Sequence, residues 1–398
     1  MKVAMLTTTG PRCGIAAYSR ALVEGFAAVP GVEIEVVPIE EGKQSIEHYV
    51  AQSKILNAPD VDVVHIQHEH CFWGGILPRT SAYWDMRYLI KKPLVLTAHT
   101  TTTLSEMLKI KQERRPHKWL AKTLLLRNQS YRDSVETAPF TTAITIVHTA
   151  AARNELIARG AKPGYVYIVP TGIPPLDPAL TDGESFREKF GLEGRRIITI
   201  FGYVTPNKGY ELTLQLLSVL PTDVSLVIAG GARTEAEKPY EASIRDAIIK
   251  AGLENRVVMT GYLSDMEAAK AMAATEIALV PHTYATGSYS VSLPLAHGKT
   301  ILASDLDCFR EISMRLGCMQ LFRAGDGEDY KAKLLSLLDN EARRSELAAT
   351  AHKYAARFAW PRVAIMTKRV YQSAIDVFSS GPNHTEMFGD PNAILAAP

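Results

Sequence analysis

The chain has 398 residues, of which 46% are hydrophobic and 22% charged, and its formal net charge is +2. That length and apolar content suit two domains, each able to bury a core of its own. The near-neutral balance argues against a nucleic-acid binder, and four well-separated cysteines, Cys13, Cys71, Cys308 and Cys318, argue against a disulfide framework or zinc site.

The segment "KVAMLTT" reads as a first strand that ends in the turn "GPRCGI". Its four-residue apolar core is too short for a signal peptide. Gly10 and Gly14 in this turn fit either a tight turn or close backbone approach to a bound group at a helix start. A full GxGxxG is absent, so no dinucleotide fingerprint is present. "GIAAYSRALVEGFAAV" then puts Ile15, Tyr18, Ala21, Leu22 and Phe26 near one helical face. "VEIEVVPI", "VDVVHIQ", "PLVLTAH" and "TTAITIVH" are strands, the last followed by a helix that ends at Gly160. The basic cluster "KIKQERRPHK", residues 109–118, reads as a solvated helix face, with an acidic acceptor or anionic lipid surface as the other reading.

"VPTGIPPLDPALTDGES", residues 169–185, carries four prolines and two glycines and reads as a linker. The alternation then restarts. "RRIITIFGYV", "VSLVIAGG", "NRVVMTGYL", "TEIALVPH" and "KTILASD" are strands with helical segments between them. Two helical stretches close the fold, and Pro361 suits the first turn of the last one. Residues 379–398 have no periodicity and read as a loose tail. No run of about 18 apolar residues occurs, so no transmembrane helix is expected.

This pattern predicts an α/β protein of two doubly wound parallel sheets with a ligand cleft at the carboxyl ends of the strands. The polar residues at those ends are the candidate site. "HIQHEHCFWGG" supplies His65, His68, Glu69 and His70. A metal reading needs a loop to fold back, because His68 and His70 share a strand face that His65 does not. Gln67, His68 and Glu69 also read as an acceptor-binding rim, or as solvated loop residues. His99 and His148 each close a buried strand, as substrate contacts or as hydrogen-bonded structural histidines. Lys208 and Gly209 sit at a helix start, where a cation and free amides suit a diphosphate. "TGSYSVS" offers a second such start at Ser288, Tyr289 and Ser290, or simple capping by its hydroxyls.

Those pieces, in that order, resemble the nucleotide-sugar-dependent glycosyltransferases of the GT-B fold, most closely the retaining family 4. The resemblance runs from Met1 to about Phe378. It implies two Rossmann-like domains: residues 1–175 for the acceptor, with helix 361–378 packing back onto it, and residues 176–360 for the donor. It implies that Lys208 neutralises the donor diphosphate and that His99 faces the transferred sugar. It further implies that Gly14, Gly202, Tyr262, Thr286, Gly287, Ser288, Tyr289 and Ser290 line the donor, with Gln67, His68 and Glu69 on the acceptor side. No metal or resident cofactor is implied. The co-substrate is a UDP- or GDP-linked sugar, and the acceptor a glycan, a lipid-linked molecule or a small molecule, as in polysaccharide biosynthesis. The implied setting is cytoplasmic, with any membrane contact peripheral.

Two departures stand out. The family's pair of glutamates falls at Ala285 and Leu293, and the basic partner of the lysine falls at Tyr203 or Thr205. His282, Tyr284, Thr286 and Ser288 are neutral groups that could hold a sugar instead. The expectation is an active transferase with an unusual donor or donor pose. The alternative is a catalytically silent GT-B subunit that binds a nucleotide sugar or glycan, with an epimerase or phosphorylase behind it.

Overall fold

The computed structural model describes residues 1–10, 13–42, 44–74, 81–101, 137–177, 182–285 and 289–380. The basic cluster at 109–118, the residues Thr286, Gly287 and Ser288, part of the linker and the tail beyond Ser380 lie outside the described residues.

The chain forms two compact units. One comprises Met1–Gly172 with the chain from Trp360 onward, and the other Ile173–Ala359. The first unit is built on strands β1 (Lys2–Thr7), β2 (Glu33–Pro38), β3 (Val63–His68), β4 (Leu94–Ala98), β5 (Ile144–Val147) and β6 (Val166–Ile168). They form one parallel sheet in the order β2-β1-β3-β4-β5-β6. β3, β4 and β5 are buried along their whole length, the mark of a sheet covered on both faces. Hence these strands read as unbroken apolar runs rather than as alternation.

The helix Gly14–Phe26 buries Ala16, Tyr18, Ser19, Leu22, Gly25 and Phe26. That face is turned slightly from the expected one, since Ile15 and Ala21 are only partly covered. The covered face includes Gly25. A Cβ there would stand 2.7 Å from the Trp360 carbonyl oxygen, so the helix meets the chain at this glycine backbone to backbone. Gly172 serves the same contact, because its Cβ would fall 2.3 Å from Cδ2 of the Trp360 ring. The last helix, Trp360–Ser380, buries Val363, Ala364, Thr367, Val370 and Tyr371 against the first unit's sheet.

The second unit contains β7 (Arg196–Phe201), β8 (Val224–Ala229), β9 (Val257–Met259), β10 (Ile277–Val280), β11 (Thr300–Ser304) and β12 (Gln320–Phe322). The sheet is again parallel, in the order β12-β11-β10-β7-β8-β9. Each sheet therefore reverses its winding once, between β1 and β3 in the first unit and between β7 and β10 in the second. Ligands of doubly wound sheets collect outside the carboxyl ends at such reversals.

Two helical segments differ from the sequence expectation. The long stretch after β12 is broken at Asn340, whose side chain accepts the Arg343 N–H at 2.9 Å and starts a new helix, Glu341–Arg357. The helix expected at Ser288 is a 3-10 turn, Tyr289–Val291, that runs into the short helix Ser292–Ala296. Pro294 sits inside that short helix and has no N–H to donate. Among the described residues no helix is long and apolar enough to cross a membrane.

Candidate active site

In the first unit a buried polar chain crosses the ends of β3 and β4. His65 is fully buried and bonds Tyr371 Oη through Nδ1 at 2.8 Å and Thr97 Oγ1 through Nε2 at 2.7 Å. Gln67, two residues on and on the same face, approaches His65 Nε2 at 3.3 Å with its amide nitrogen. Its Oε1 pairs with His99 Nε2 at 2.8 Å. An amide oxygen can only accept, so His99 carries its proton on Nε2. Burial holds His99 well below the usual histidine range and keeps it neutral, which leaves a lone pair on Nδ1. Tyr18 packs edge-on against this ring, 5.0 Å between centroids. His148, 5.5 Å from His99 by ring centroids, donates from Nδ1 to the Val169 carbonyl at 2.9 Å.

The expected rim of Gln67, His68 and Glu69 is not a surface feature. Gln67 is 0% and His68 1% exposed, because both belong to a central strand covered on each face. Among the described residues, neither ring nitrogen of His68 has a hydrogen-bond partner. The ring is enclosed by His70, Tyr83 and Phe140, at centroid distances of 4.9, 5.2 and 5.3 Å. Glu69, the first residue past the strand, is only partly covered. Its carboxylate accepts the His70 N–H at 3.0 Å and the Thr100 hydroxyl, and burial raises its pKa. Among the described residues no group of three or more His, Cys, Asp or Glu is arranged to hold a metal ion. Gly14 opens its helix from an exposed position, with nothing within 4 Å of where a Cβ would stand. That helix has neither a side-chain cap nor an acidic first turn.

In the second unit the site gathers where β7 and β10 part. Lys208 follows β7 in a 3-10 turn, Pro206–Lys208, and is 7% exposed. Its Nζ donates to the Phe201 carbonyl at 2.7 Å. Burial brings the amine down to about 7, since an ammonium so little solvated is costly. Gly202 makes room for it: a Cβ there would lie 2.3 Å from Lys208 Nζ and 3.6 Å from the Ser290 Cβ. Lys208, Gly202 and Ser290 are thus brought together. Gly209 follows with φ +69°, and a Cβ on it would stand 2.2 Å from the Pro281 carbonyl. Asn207 ties the same two loops, donating to the Tyr284 carbonyl at 3.0 Å and accepting the Thr283 N–H at 2.9 Å.

His282 lies behind the amine. The sequence suggests it as a sugar contact, but it is 3% exposed, with its ring edge-on to Phe309 at 5.4 Å. Burial, with the charge of Lys208 second, lowers it to about 3, and Nδ1 has no partner among the described residues. Tyr262 lies 52% exposed in the loop after β9, its N–H 3.2 Å from where a Gly231 Cβ would be. The Ala285 carbonyl takes the Cys308 thiol at 3.5 Å.

Sequence reasoning misses three contributors. Asn207 carries no motif signal beyond a common turn. Gly230 supplies a backbone contact, and Arg233 lies over the ring of Tyr203, 6.0 Å from its centroid. Only the paired glycines after β8 hint at either of the last two.

Comparison with known proteins bears on the family and the fold. The model for Glycosyltransferase Family 4 matches residues 10–175, and the model for Glycosyl transferases group 1 matches residues 182–356. An MMP alpha-(1->4)-mannosyltransferase of Mycolicibacterium hassiacum is 26% identical over 79% of this chain and 71% of its own. A phosphatidyl-myo-inositol mannosyltransferase of Mycolicibacterium smegmatis is 25% identical over 79% and 72%. Among solved structures, HepE of Anabaena in complex with UDP superposes with a TM-score of 0.70 at 16% identity, covering 94% of this chain and 100% of that one. That likeness is one of fold.

Proposed function

Since this chain is a GT-B glycosyltransferase of the family 4 type, we propose that it moves a hexosyl unit from a nucleoside-diphosphate sugar to a hydroxyl with retention of anomeric configuration. The observation that carries this reading is Lys208. It is a buried amine beside a neutral histidine and a glycine, at the reversal point of the second sheet, and its Nζ donates to a carbonyl rather than to a carboxylate. An amine so placed is under-compensated until an anion arrives.

The second unit supplies the donor site. Lys208 and the amides near Ser290 stabilise the leaving diphosphate, which is where negative charge grows as the glycosidic bond breaks. Retention needs no protein nucleophile when the donor phosphate takes the acceptor proton on the face where the bond breaks. Catalysis is then positioning plus charge stabilisation. In the first unit His99, neutral and protonated on Nε2, accepts a hydrogen bond from a sugar hydroxyl through Nδ1. Glu69 offers an acceptor-side carboxylate. The nucleotide sugar enters as a co-substrate, UDP- or GDP-linked, and the reading calls for no resident cofactor or metal. Both relatives described above are named as mannosyltransferases, which favours a mannosyl donor and a polyol, glycan or lipid-linked acceptor.

The experiment is calorimetric titration with UDP, GDP and ADP, then with their sugar conjugates, followed by turnover in the presence of candidate acceptors. Micromolar binding of one diphosphate, a further change with one sugar, and transfer to an acceptor are expected. Binding without hydrolysis or transfer would favour a silent subunit, and no binding at all would overturn the donor site.

A further inference from the structure

The loops that leave β7 and β8 are laced together. Gly202 donates to the Ala229 carbonyl at 3.0 Å and Val204 to the Gly231 carbonyl at 3.0 Å. A Cβ on Gly230 would stand 2.2 Å from the Gly202 oxygen, so the two backbones touch. Tyr203 lies between these bonds and is held by them. Two residues past Gly231, the guanidinium of Arg233 rests over the Tyr203 ring, its Cζ 6.0 Å from the centroid. That arrangement sets a cation on the aromatic face of the residue next to Gly202, whose own Cβ position meets Lys208 Nζ.

A nucleoside diphosphate brings more negative charge than one amine can balance. Lys208 is a single cation, and burial limits how much of it is charged near neutral pH. A guanidinium keeps its charge and presents paired donors that match phosphate oxygens. The existing partner of Arg233 holds it weakly. Glu237 Oε1 lies 3.6 Å from it, four residues along, and the Arg233 side chain is 48% exposed. Such exposed pairs contribute little. The other oxygen of Glu237 is engaged elsewhere, accepting the backbone N–H of Arg233 at 2.8 Å and of Thr234 at 3.2 Å. The guanidinium can therefore leave Glu237 while the loop keeps its cap.

We propose that Arg233, steadied on the ring of Tyr203, is the second cationic contact for the donor diphosphate and acts beside Lys208. The inference rests on the reading of the second unit as the donor site. Tyr203 then serves as the platform for a charge delivered from the neighbouring strand's loop.

The test is titration of UDP, GDP, uridine and guanosine into the full chain and into Arg233→Ala, Arg233→Lys, Tyr203→Leu and Lys208→Ala. Arg233→Ala is expected to weaken the preferred diphosphate roughly 10- to 100-fold while leaving its nucleoside unchanged. Arg233→Lys should recover part of the loss, and Tyr203→Leu should cost several-fold, all without a change in melting temperature. If Arg233→Ala stays within twofold while Lys208→Ala abolishes binding, this inference fails and the donor site stands. Equal loss of nucleoside and diphosphate would make Arg233 a base or ribose contact and also overturn it. If the unaltered chain binds none of the four ligands, the inference falls together with the donor reading.

Discussion

The Oε1 of Gln67 takes the Nε2–H of His99 at 2.8 Å, and this bond decides which nitrogen of His99 is left to accept. Replacing Gln67 by Leu removes the bond and frees the ring to turn or change tautomer. Turnover should then fall roughly 10- to 100-fold, as when a partner that orients a functional histidine is lost. Affinity for the nucleotide should stay within twofold. Gln67→Glu sets a carboxylate against the same N–H and should move the pH–rate profile upward. A matched drop in melting temperature and activity, without a shift of profile, would reduce Gln67 to a packing role.

If Lys208 meets the donor diphosphate as proposed, donor binding is a proton-linked event. The amine is held at about 7 in the free protein, and a diphosphate beside it raises that value. The complex therefore binds the proton more tightly than the free protein does. Affinity is fully present below pH 7 and declines above it, by up to about tenfold per pH unit until the raised pKa is reached. Titrating a nucleotide sugar, which lacks a free terminal phosphate, in buffers of different ionisation enthalpy should show net proton uptake near pH 7. Lys208→Ala should remove both the uptake and most of the affinity. Binding that is flat from about pH 6.5 to 9 would contradict this.

Acid should weaken the first unit ahead of any effect on its carboxylates. His65 and His70 are buried and His99 and His148 partly covered, and desolvation lowers each of them, His65 to about 3 and His70 to about 4. A base with a folded pKa below its unfolded value contributes stability above the unfolded value and loses it as pH falls. Between about 6.5 and its folded value each of His65 and His70 costs up to about 1.4 kcal/mol per pH unit, and His99 and His148 add in the same direction. Thermal melts from about pH 7.5 to 5 should therefore show a steep fall beginning near 6.5. His65→Asn, whose amide takes the place of Nδ1 beside Tyr371 and cannot be protonated, should flatten the slope.

Glycines around the amine separate function from folding. Gly202 has φ +104° and its neighbour is the flexible end of Lys208, whereas Gly230 has φ +154° and faces the backbone of Gly202. Gly202→Ala should push the amine aside and weaken the diphosphate about tenfold or more, with a stability loss of about 1–2 kcal/mol. Gly230→Ala should cost more stability, because a carbonyl cannot step out of the way. Melting curves and titrations of the two variants distinguish the cases.

The sheets are legible in the sequence because their strands are buried on both faces and appear as apolar runs with polar ends. Lys208 is legible because a strand, a turn and a helix bracket it. The burial of Gln67 and His68 is not. A polar residue at a strand end reads as exposed unless the layer above it is known, and that layer includes Tyr371, 306 positions from His65. Arg233 escapes for a related reason. Its meaning comes from the ring of Tyr203 in a different loop, and no local spacing connects the two. The helix break at Asn340 is hidden by periodicity that continues on either side of it.

Trp360 sits where Gly25 and Gly172 leave space for it, and Tyr371 completes the buried chain that ends at His99. Synthesis of this chain cannot proceed strictly domain by domain from its amino end, as multidomain proteins generally do. The first sheet emerges early but lacks its closing helix until the whole of Ile173–Ala359 has been made. During that interval His65 has no phenol to bond and the groove between the two glycines stands open. A chain stopped just after Ala359 would contain every residue of the second unit yet still lack the helix that closes the first.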